Sequence, residues 1–246
     1  MKIAVAGGTG AVGKPVTEVA RERGHEVIVL SRQAGVDLTN SAGLAGALEG
    51  VDVVIDVTSV QTQSADASRR FFGTVTSTLL DAELAAGVRH HVALSIVGSD
   101  KAPFGYYAGK QEQERLVAAG RVPWTILRAT QFHEFARQIF DEFRLGPIAL
   151  VPRMVSQPVA AREVAERLVS LAEGAPAGHA TELGGPEVLR MSTMVKKYAR
   201  AIGSRGPVLE LPLPGGFGRA MRDGTVLSGP AADRGIQTYD EWVTTL

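Results

Sequence analysis

Short runs of apolar, β-branched residues alternate with longer stretches of helical periodicity through the first half of the chain. The runs at 2–6, 26–30, 53–57, 91–97 and 124–128 are nearly continuous in apolar side chains, as strands covered on both faces should be. Between them, 12–23, 41–48, 64–86 and 106–119 carry apolar residues at helical spacing and are rich in Ala, Leu, Glu and Arg, which predicts helices. Gly24, Gly50, Gly87 and Gly120 follow the four stretches, where a left-handed C-cap would sit. Such alternation predicts an α/β fold with a doubly wound parallel sheet of the Rossmann type. After residue 128 the pattern changes. Helices are expected over 131–143, 161–172 and 192–202, with a short apolar run at 148–152. From 206 onward proline and glycine are dense, and 211–218 and 224–230 read as irregular. The expected organisation is a Rossmann core over 1–150. Residues 151–246 would complete the sheet and form a small C-terminal substrate lobe within one structural unit.

Composition narrows the classes. The chain has 246 residues, no cysteine, and 26 basic against 26 acidic side chains. Zero net charge argues against a nucleic-acid partner held by phosphate neutralisation. The absence of cysteine removes disulfides, thiolate metal sites and a cysteine nucleophile. No apolar run is long enough to span a bilayer. Residues 1–8 enter a strand at once and lack the apolar stretch of a signal peptide, so a cytoplasmic location is expected.

The first strand leads into Gly7-Gly8-Thr9-Gly10-Ala11-Val12-Gly13 and then a helix. A helix N-terminus offers unpaired N–H groups and a positive dipole end, which suit a pyrophosphate. Glycines at 7, 10 and 13 permit a sharp turn, close approach of backbone to phosphate, and tight helix–strand packing. A plain strand–helix turn of small residues is the bland alternative, but a preceding strand and a following helix are the context that supports dinucleotide binding. The second strand ends at Leu30-Ser31-Arg32, about 20 positions after the glycines, where an acid would bind the ribose 2′-hydroxyl of NAD. Arg32 would instead pair with the 2′-phosphate of NADP, with Ser31 donating to it, so NADP(H) is preferred over NAD(H). A solvated arginine at a strand end is the alternative. Asp37 and Leu38 would lie beside the adenine.

Ligands of open α/β sheets bind outside the carboxyl ends of the strands. Two strands end there at Val57-Thr58-Ser59 and at Leu94-Ser95. Tyr106 and Lys110 open the next helix and share one of its faces. A lysine cation near a tyrosine hydroxyl would lower its pKa, making Tyr106 a general acid/base. Ser95 would hold the same substrate oxygen. Together they fit carbonyl reduction, although Tyr and Lys four apart also occur by chance.

These motifs, with Trp124-Thr125-Ile126-Leu127-Arg128-Ala129-Thr130-Gln131-Phe132 and Gln157-Pro158-Val159, resemble the short-chain dehydrogenase/reductase superfamily, in particular its atypical NmrA-like, NAD(P)H-binding branch. The resemblance spans about residues 1–200. It implies an NAD(P)-binding domain in which Thr58 and Ser59 line the nicotinamide ribose and Lys110 bonds it. It implies that the backbone at Ala129 and Thr130 contacts the carboxamide and that Gln131, Phe132 and Phe135 face substrate. The asparagine-alanine-glycine motif usual in the main branch is replaced by Val57-Thr58-Ser59. The resemblance therefore implies an NADP(H)-dependent reductase of a small carbonyl or quinone-like substrate. A non-catalytic redox sensor and a sugar-nucleotide epimerase are the alternatives. Many relatives form a dimer through the helices at 64–86 and 106–119, so a homodimer is an open expectation.

Other polar residues carry less. His133 is expected to line the substrate pocket. His133-Glu134 begins like a zinc motif, but Arg137 stands where the second histidine belongs, and no metal site is expected. His90-His91 reads as a helix–strand junction or surface pair. Phe71 and Phe72 read as partly buried beside solvated Arg69 and Arg70. Gly215-Gly216-Phe217-Gly218 reads as a flexible segment or lid.

Overall fold

The computed structural model describes residues 1–246. In chain order the first elements are β1 (Lys2–Ala6), α1 (Gly13–Glu22), β2 (Glu26–Leu30), α2 (Leu44–Ala47), β3 (Val53–Asp56), α3 (Ala65–Ala86), β4 (His90–Ile96), α4 (Tyr106–Ala119) and β5 (Trp124–Ala129). Then follow α5 (Phe135–Glu142), β6 (Arg144–Leu145), β7 (Ile148–Pro152), β8 (Val155–Ser156), α6 (Ala161–Glu173), β9 (Gly178–His179), β10 (Leu183–Gly184), β11 (Leu189–Arg190), α7 (Met191–Ala201), β12 (Val208–Leu211), α8 (Gly215–Arg222), β13 (Asp233–Arg234) and α9 (Tyr239–Val243).

Two compact units result. The first holds 1–128 and 161–181; the second holds 129–160 and 182–246. The segment 161–181 belongs to the first unit because α6 packs along α1, an attachment that Arg162 reinforces with an ion pair to Glu22.

In the first unit the strands run in the order β2-β1-β3-β4-β5-β9. β1 is parallel to β2 and β3, β3 to β4, and β5 to β9. The order reverses between β1 and β3, which makes the carboxyl ends of those two strands the topological switch point. Ile3, Val5, Val54, Ile55 and Val92 are fully buried, as a sheet covered on both faces requires. Helices α1 and α6 pair, as do α3 and α4. α3 and α4 approach so closely that a Cβ on Gly109 would sit 2.1 Å from Ser68 Oγ.

In the second unit β12 and β6 flank β7, and β11 pairs with β8. Leu183 of β10 pairs with Ala129 and β10 runs parallel to β13. Tyr239 of α9 is fully buried and its hydroxyl donates to Met194 O at 3.0 Å.

Some boundaries depart from the sequence expectations. The helix at 41–48 contracts to α2, because Gly43 adopts φ 76° immediately before it. The helix at 131–143 starts only at Phe135, because Phe132 first forms a parallel bridge with Val159. The glycines at 215–218, which read as irregular, lie in a helix, α8; Gly218 packs where a Cβ would meet Leu213 O at 1.9 Å. Gly24, Gly50 and Gly87 are left-handed, whereas Gly120 is extended at φ −71°.

Candidate functional site

The glycine loop opens α1 at the switch point. Gly7 adopts φ 79°, and a Cβ there would lie 2.9 Å from Val57 O. At Gly13 a Cβ would lie 2.1 Å from Gly7 O. Side chains are thus excluded from both places by backbone, as close helix–strand packing demands. Gly10 and Ala11 are exposed, Thr9 is half-buried and Val12 is buried beneath the loop. The start of α1 has no side-chain cap and no acidic residue in its first turn, so its positive end is left for an anion.

Beyond β2, Ser31 caps a short 3-10 turn (Arg32–Ala34), its Oγ accepting from Ala34 N at 3.2 Å. That turn presents Arg32 in solvent. Asp37 is exposed, and hydrogen bonds from the Thr39 backbone and hydroxyl hold its carboxyl below the usual range. Leu38 is buried in the apolar cluster with Leu30, Leu44 and Leu79. An open groove of about 750 Å³ is lined by Asp37, Thr39, Asn40, Thr78 and Asp81, among others. It borders the Asp37 side of the site but includes none of the glycine loop.

The end of β3 and the start of α4 meet beside that loop. Asp56 is fully buried and its Oδ1 accepts the Thr58 N–H at 2.9 Å. Thr58 is buried, and its Oγ1 has no partner within the chain. Ser59 is exposed, and its Oγ lies 3.2 Å from Tyr106 Oη. Tyr106 also packs edge-on against Phe72, with ring centroids 5.5 Å apart. Phe72 is fully buried and its ring lies 4.4 Å from Lys110 Nζ.

Two residues of the expected catalytic set are held by partners within the chain. Lys110 does not reach the Tyr106 hydroxyl. Its Nζ donates to Leu94 O at 2.9 Å, Gln113 Oε1 at 2.9 Å and Thr58 O at 3.3 Å. An ammonium has three N–H groups, so this set commits all of them to protein acceptors. Burial, opposed by Asp56 and Glu114, pushes the Lys110 ammonium down to about 8. Burial also drives the Tyr106 phenol well above its ordinary value, with the Ser59 bond acting weakly the other way. Tyr106 is a neutral phenol in this setting, and in its bond with Ser59 either hydroxyl can donate.

Ser95 is the second of these residues. It is buried on β4, and its Oγ donates to Glu114 Oε1 at 2.5 Å. Ser99 donates to the same oxygen, and Arg128 binds Glu114 through two bonds of 2.9 and 2.7 Å. Arg128 also pairs with Asp100 at 3.2 Å. Burial alone would raise the Glu114 carboxyl; the bonds from Arg128 and Ser95 hold it below the usual range. Ser95 therefore ties β4 to α4, and the hydroxyl beside Tyr106 is that of Ser59. Sequence reasoning missed Asp56, Gln113 and Glu114. Lys110, Gln113 and Glu114 lie three and four apart on α4, which was the available signal.

The remaining expected residues belong to the second unit. Thr130 N donates to Leu183 O at 3.0 Å, and its Oγ1 donates to Gln157 O at 2.5 Å. Ala129 is buried. Gln131 is also buried, with Ser156 Oγ donating to its Oε1 at 3.0 Å and its Nε2 donating to Val226 O at 3.3 Å. His133 is fully buried, 3.2 Å from Gln237 O and packed on Tyr239 and Trp242. Phe132 and Phe135 are the half-buried members of the set. The histidine pair sits at a helix–strand junction: His91 Nδ1 lies 2.8 Å from Glu83 Oε1, and both side chains are fully buried.

A glycine cradle at the switch point, an uncapped helix start and a buried hydroxyl without a partner fit the pyrophosphate and ribose of a dinucleotide. They define a nucleotide-binding α/β protein of the Rossmann class. The chain belongs to the NAD(P)H-binding family, whose model matches residues 7–172. It is similar to the NADPH-dependent quinone oxidoreductase QOR2 of Escherichia coli in complex with NADPH, at 18% identity and TM-score 0.71 over 99% of both chains. It is equally similar to a UDP-N-acetylglucosamine 4-epimerase of Bacillus cereus, at 17% identity and TM-score 0.71 over 100% of this chain and 96% of that one. A Staphylococcus aureus nucleoside-diphosphate-sugar epimerase matches at 16% identity and TM-score 0.70 over 99% of both chains. At such identities the likeness speaks to fold. No curated protein matches the chain. No helix is long and apolar enough to cross a membrane.

Proposed function

We propose that the chain is an NADP(H)-dependent oxidoreductase that reduces a small carbonyl or quinone-like substrate. The observation that carries this reading is the Ser59–Tyr106 hydroxyl pair, 3.2 Å apart beside the glycine loop. Bound NADPH supplies a hydride. The loop from Gly7 to Gly13 holds the pyrophosphate, and Arg32 pairs with the 2′-phosphate. Thr58 Oγ1 offers its hydroxyl to the ribose. Ser59 Oγ orients the substrate oxygen, and Tyr106 Oη, kept protonated by burial, donates the proton that oxygen takes up. Lys110 acts one step back, fixing the Thr58 backbone. NADPH oxidation followed with a panel of quinones and aldehydes tests the reading. Turnover that falls on Tyr106→Phe supports it, and turnover unaffected by that change removes Tyr106 from the chemistry.

A second reading, a dinucleotide-binding redox sensor, is favoured by one specific observation. All three Lys110 N–H groups are committed, so no cation is aimed at the tyrosine. Tight NADPH binding without turnover of any panel member would select it.

A further inference from the structure

Gln113 has no place in the site as expected from sequence, yet it is fully buried and both halves of its amide are committed. Its Oε1 accepts from Lys110 Nζ at 2.9 Å, and its Nε2 donates to Asp56 Oδ2 at 2.7 Å. The chemistry of the neighbours dictates this orientation. A flipped amide would set donor against ammonium and acceptor against carboxylate.

The two partners of Gln113 meet again at one residue. Asp56 Oδ1 accepts the Thr58 N–H at 2.9 Å, and Lys110 Nζ donates to Thr58 O at 3.3 Å. The bonds close a ring that runs Thr58 N–H, Asp56, Gln113, Lys110, Thr58 C=O. Both polar backbone atoms of Thr58 are thereby fixed. Thr58 is the residue whose Oγ1 has no partner within the chain, and its backbone backs directly onto Gly7. The next residue, Ser59, reaches Tyr106.

We propose that Gln113 is a positioning residue for dinucleotide binding: it closes the ring that holds the 56–59 turn, and with it the Thr58 hydroxyl, against the glycine loop. This rests on the NAD(P)H-binding reading of the site. Gln113 touches no substrate or cofactor itself. An apolar side chain of similar size would fill the space but leave the Lys110 and Asp56 atoms it now serves without partners.

Two substitutions separate positioning from packing. Gln113→Met keeps volume and removes both bonds. Gln113→Glu keeps the acceptor for Lys110 but faces Asp56 with a second carboxyl, so one of the two must hold a proton for the ring to close. Asp56 on β3 and Lys110 and Glu114 on α4 face this position, and the Glu83–His91 pair on α3 and β4 is felt through Asp56. Those groups are common to every variant, so each is read against wild type at the same pH.

The experiment measures the NADPH dissociation constant by calorimetry from about pH 5.5 to about pH 8.5, with hydrogen exchange of the Thr58 amide on the same samples. Gln113→Met is expected to weaken NADPH roughly tenfold at every pH, through loss of buried hydrogen bonds. Gln113→Glu is expected to bind like wild type at the acid end and to lose roughly tenfold toward the alkaline end, as its proton leaves. Thr58 amide protection should fall in step. Variants that bind NADPH and protect Thr58 as wild type does across the range overturn the proposal. Should Gln113→Met fail to fold, Gln113→Glu decides alone, through its pH dependence. Wild-type protein that binds no NADPH overturns the dinucleotide reading instead, while the Thr58 exchange still reports on the ring.

Discussion

Ser59 Oγ and Tyr106 Oη lie 3.2 Å apart, joining the end of β3 to the first residue of α4. In the proposed reaction this pair takes the place that the sequence suggested for Ser95 and Tyr106. The Tyr106 phenol is held well above its ordinary pKa by burial, so it stays protonated throughout the neutral range, and in the proposed reaction it is the proton donor. Tyr106→Phe should lower kcat by about 100-fold, the usual scale of a general acid, while NADPH affinity stays unchanged. Steady-state kinetics with calorimetry on the same variant checks both halves.

Ser95→Ala should behave differently. Ser95 donates to a Glu114 carboxylate that Ser99 and Arg128 also bind. Its loss should cost about 2 kcal/mol of stability, the scale of one hydrogen bond to a charged group, and leave kcat unaltered. Urea unfolding beside kinetics would read this. A kcat loss as large as that of Ser59→Ala would return Ser95 to the chemistry.

Arg32 stands in solvent on the turn after β2, beyond the buried Ser31. Arg32→Ala should weaken NADPH by roughly 10- to 100-fold through loss of a charge-assisted contact. NADH, which lacks the 2′-phosphate, should bind as before. Equal losses for both cofactors would contradict the assignment.

Much of the first unit was legible because its strands are continuous apolar runs and Gly7, Gly10 and Gly13 sit between a strand and a helix. The tail was less so. Three glycines masked the helical period of α8, and Gln131 and Phe132 read as helix although the bridge to Val159 holds them extended. The tyrosine and lysine were found by spacing, but spacing says nothing of where an ammonium points. Leu94 O and Gln113 compete for Lys110, and a buried chain of such bonds is a tertiary fact. Ser59 was legible as a strand end and, by resemblance, as a residue lining the nicotinamide ribose, but its partner Tyr106 came from 47 residues further along the chain.

The Glu83–His91 pair gives a pH signature. Burial opposes charge on His91, but the adjacent Glu83 carboxylate overrides it and raises the histidine pKa. Burial raises Glu83 as well. Both shifts leave the folded pair holding more protons than the unfolded chain, so stability falls as pH rises. The His91 contribution is complete below the ordinary histidine value of 6.5 and is lost as pH climbs through the raised one. Glu83→Gln should flatten that slope and cost about 3 kcal/mol near the acid end, where a buried charge loses its partner. Parallel unfolding curves for variant and wild type, measured from pH to pH by urea titration, would contradict the pairing.

In the proposed function the glycine loop, Arg32 and Thr58 together hold NADP(H). Calorimetric titration of the purified protein with NADPH and with NADH tests it most directly. Saturable binding of NADPH, tighter than that of NADH, is the predicted result. Absence of binding by either dinucleotide would contradict the account from the glycine loop onward.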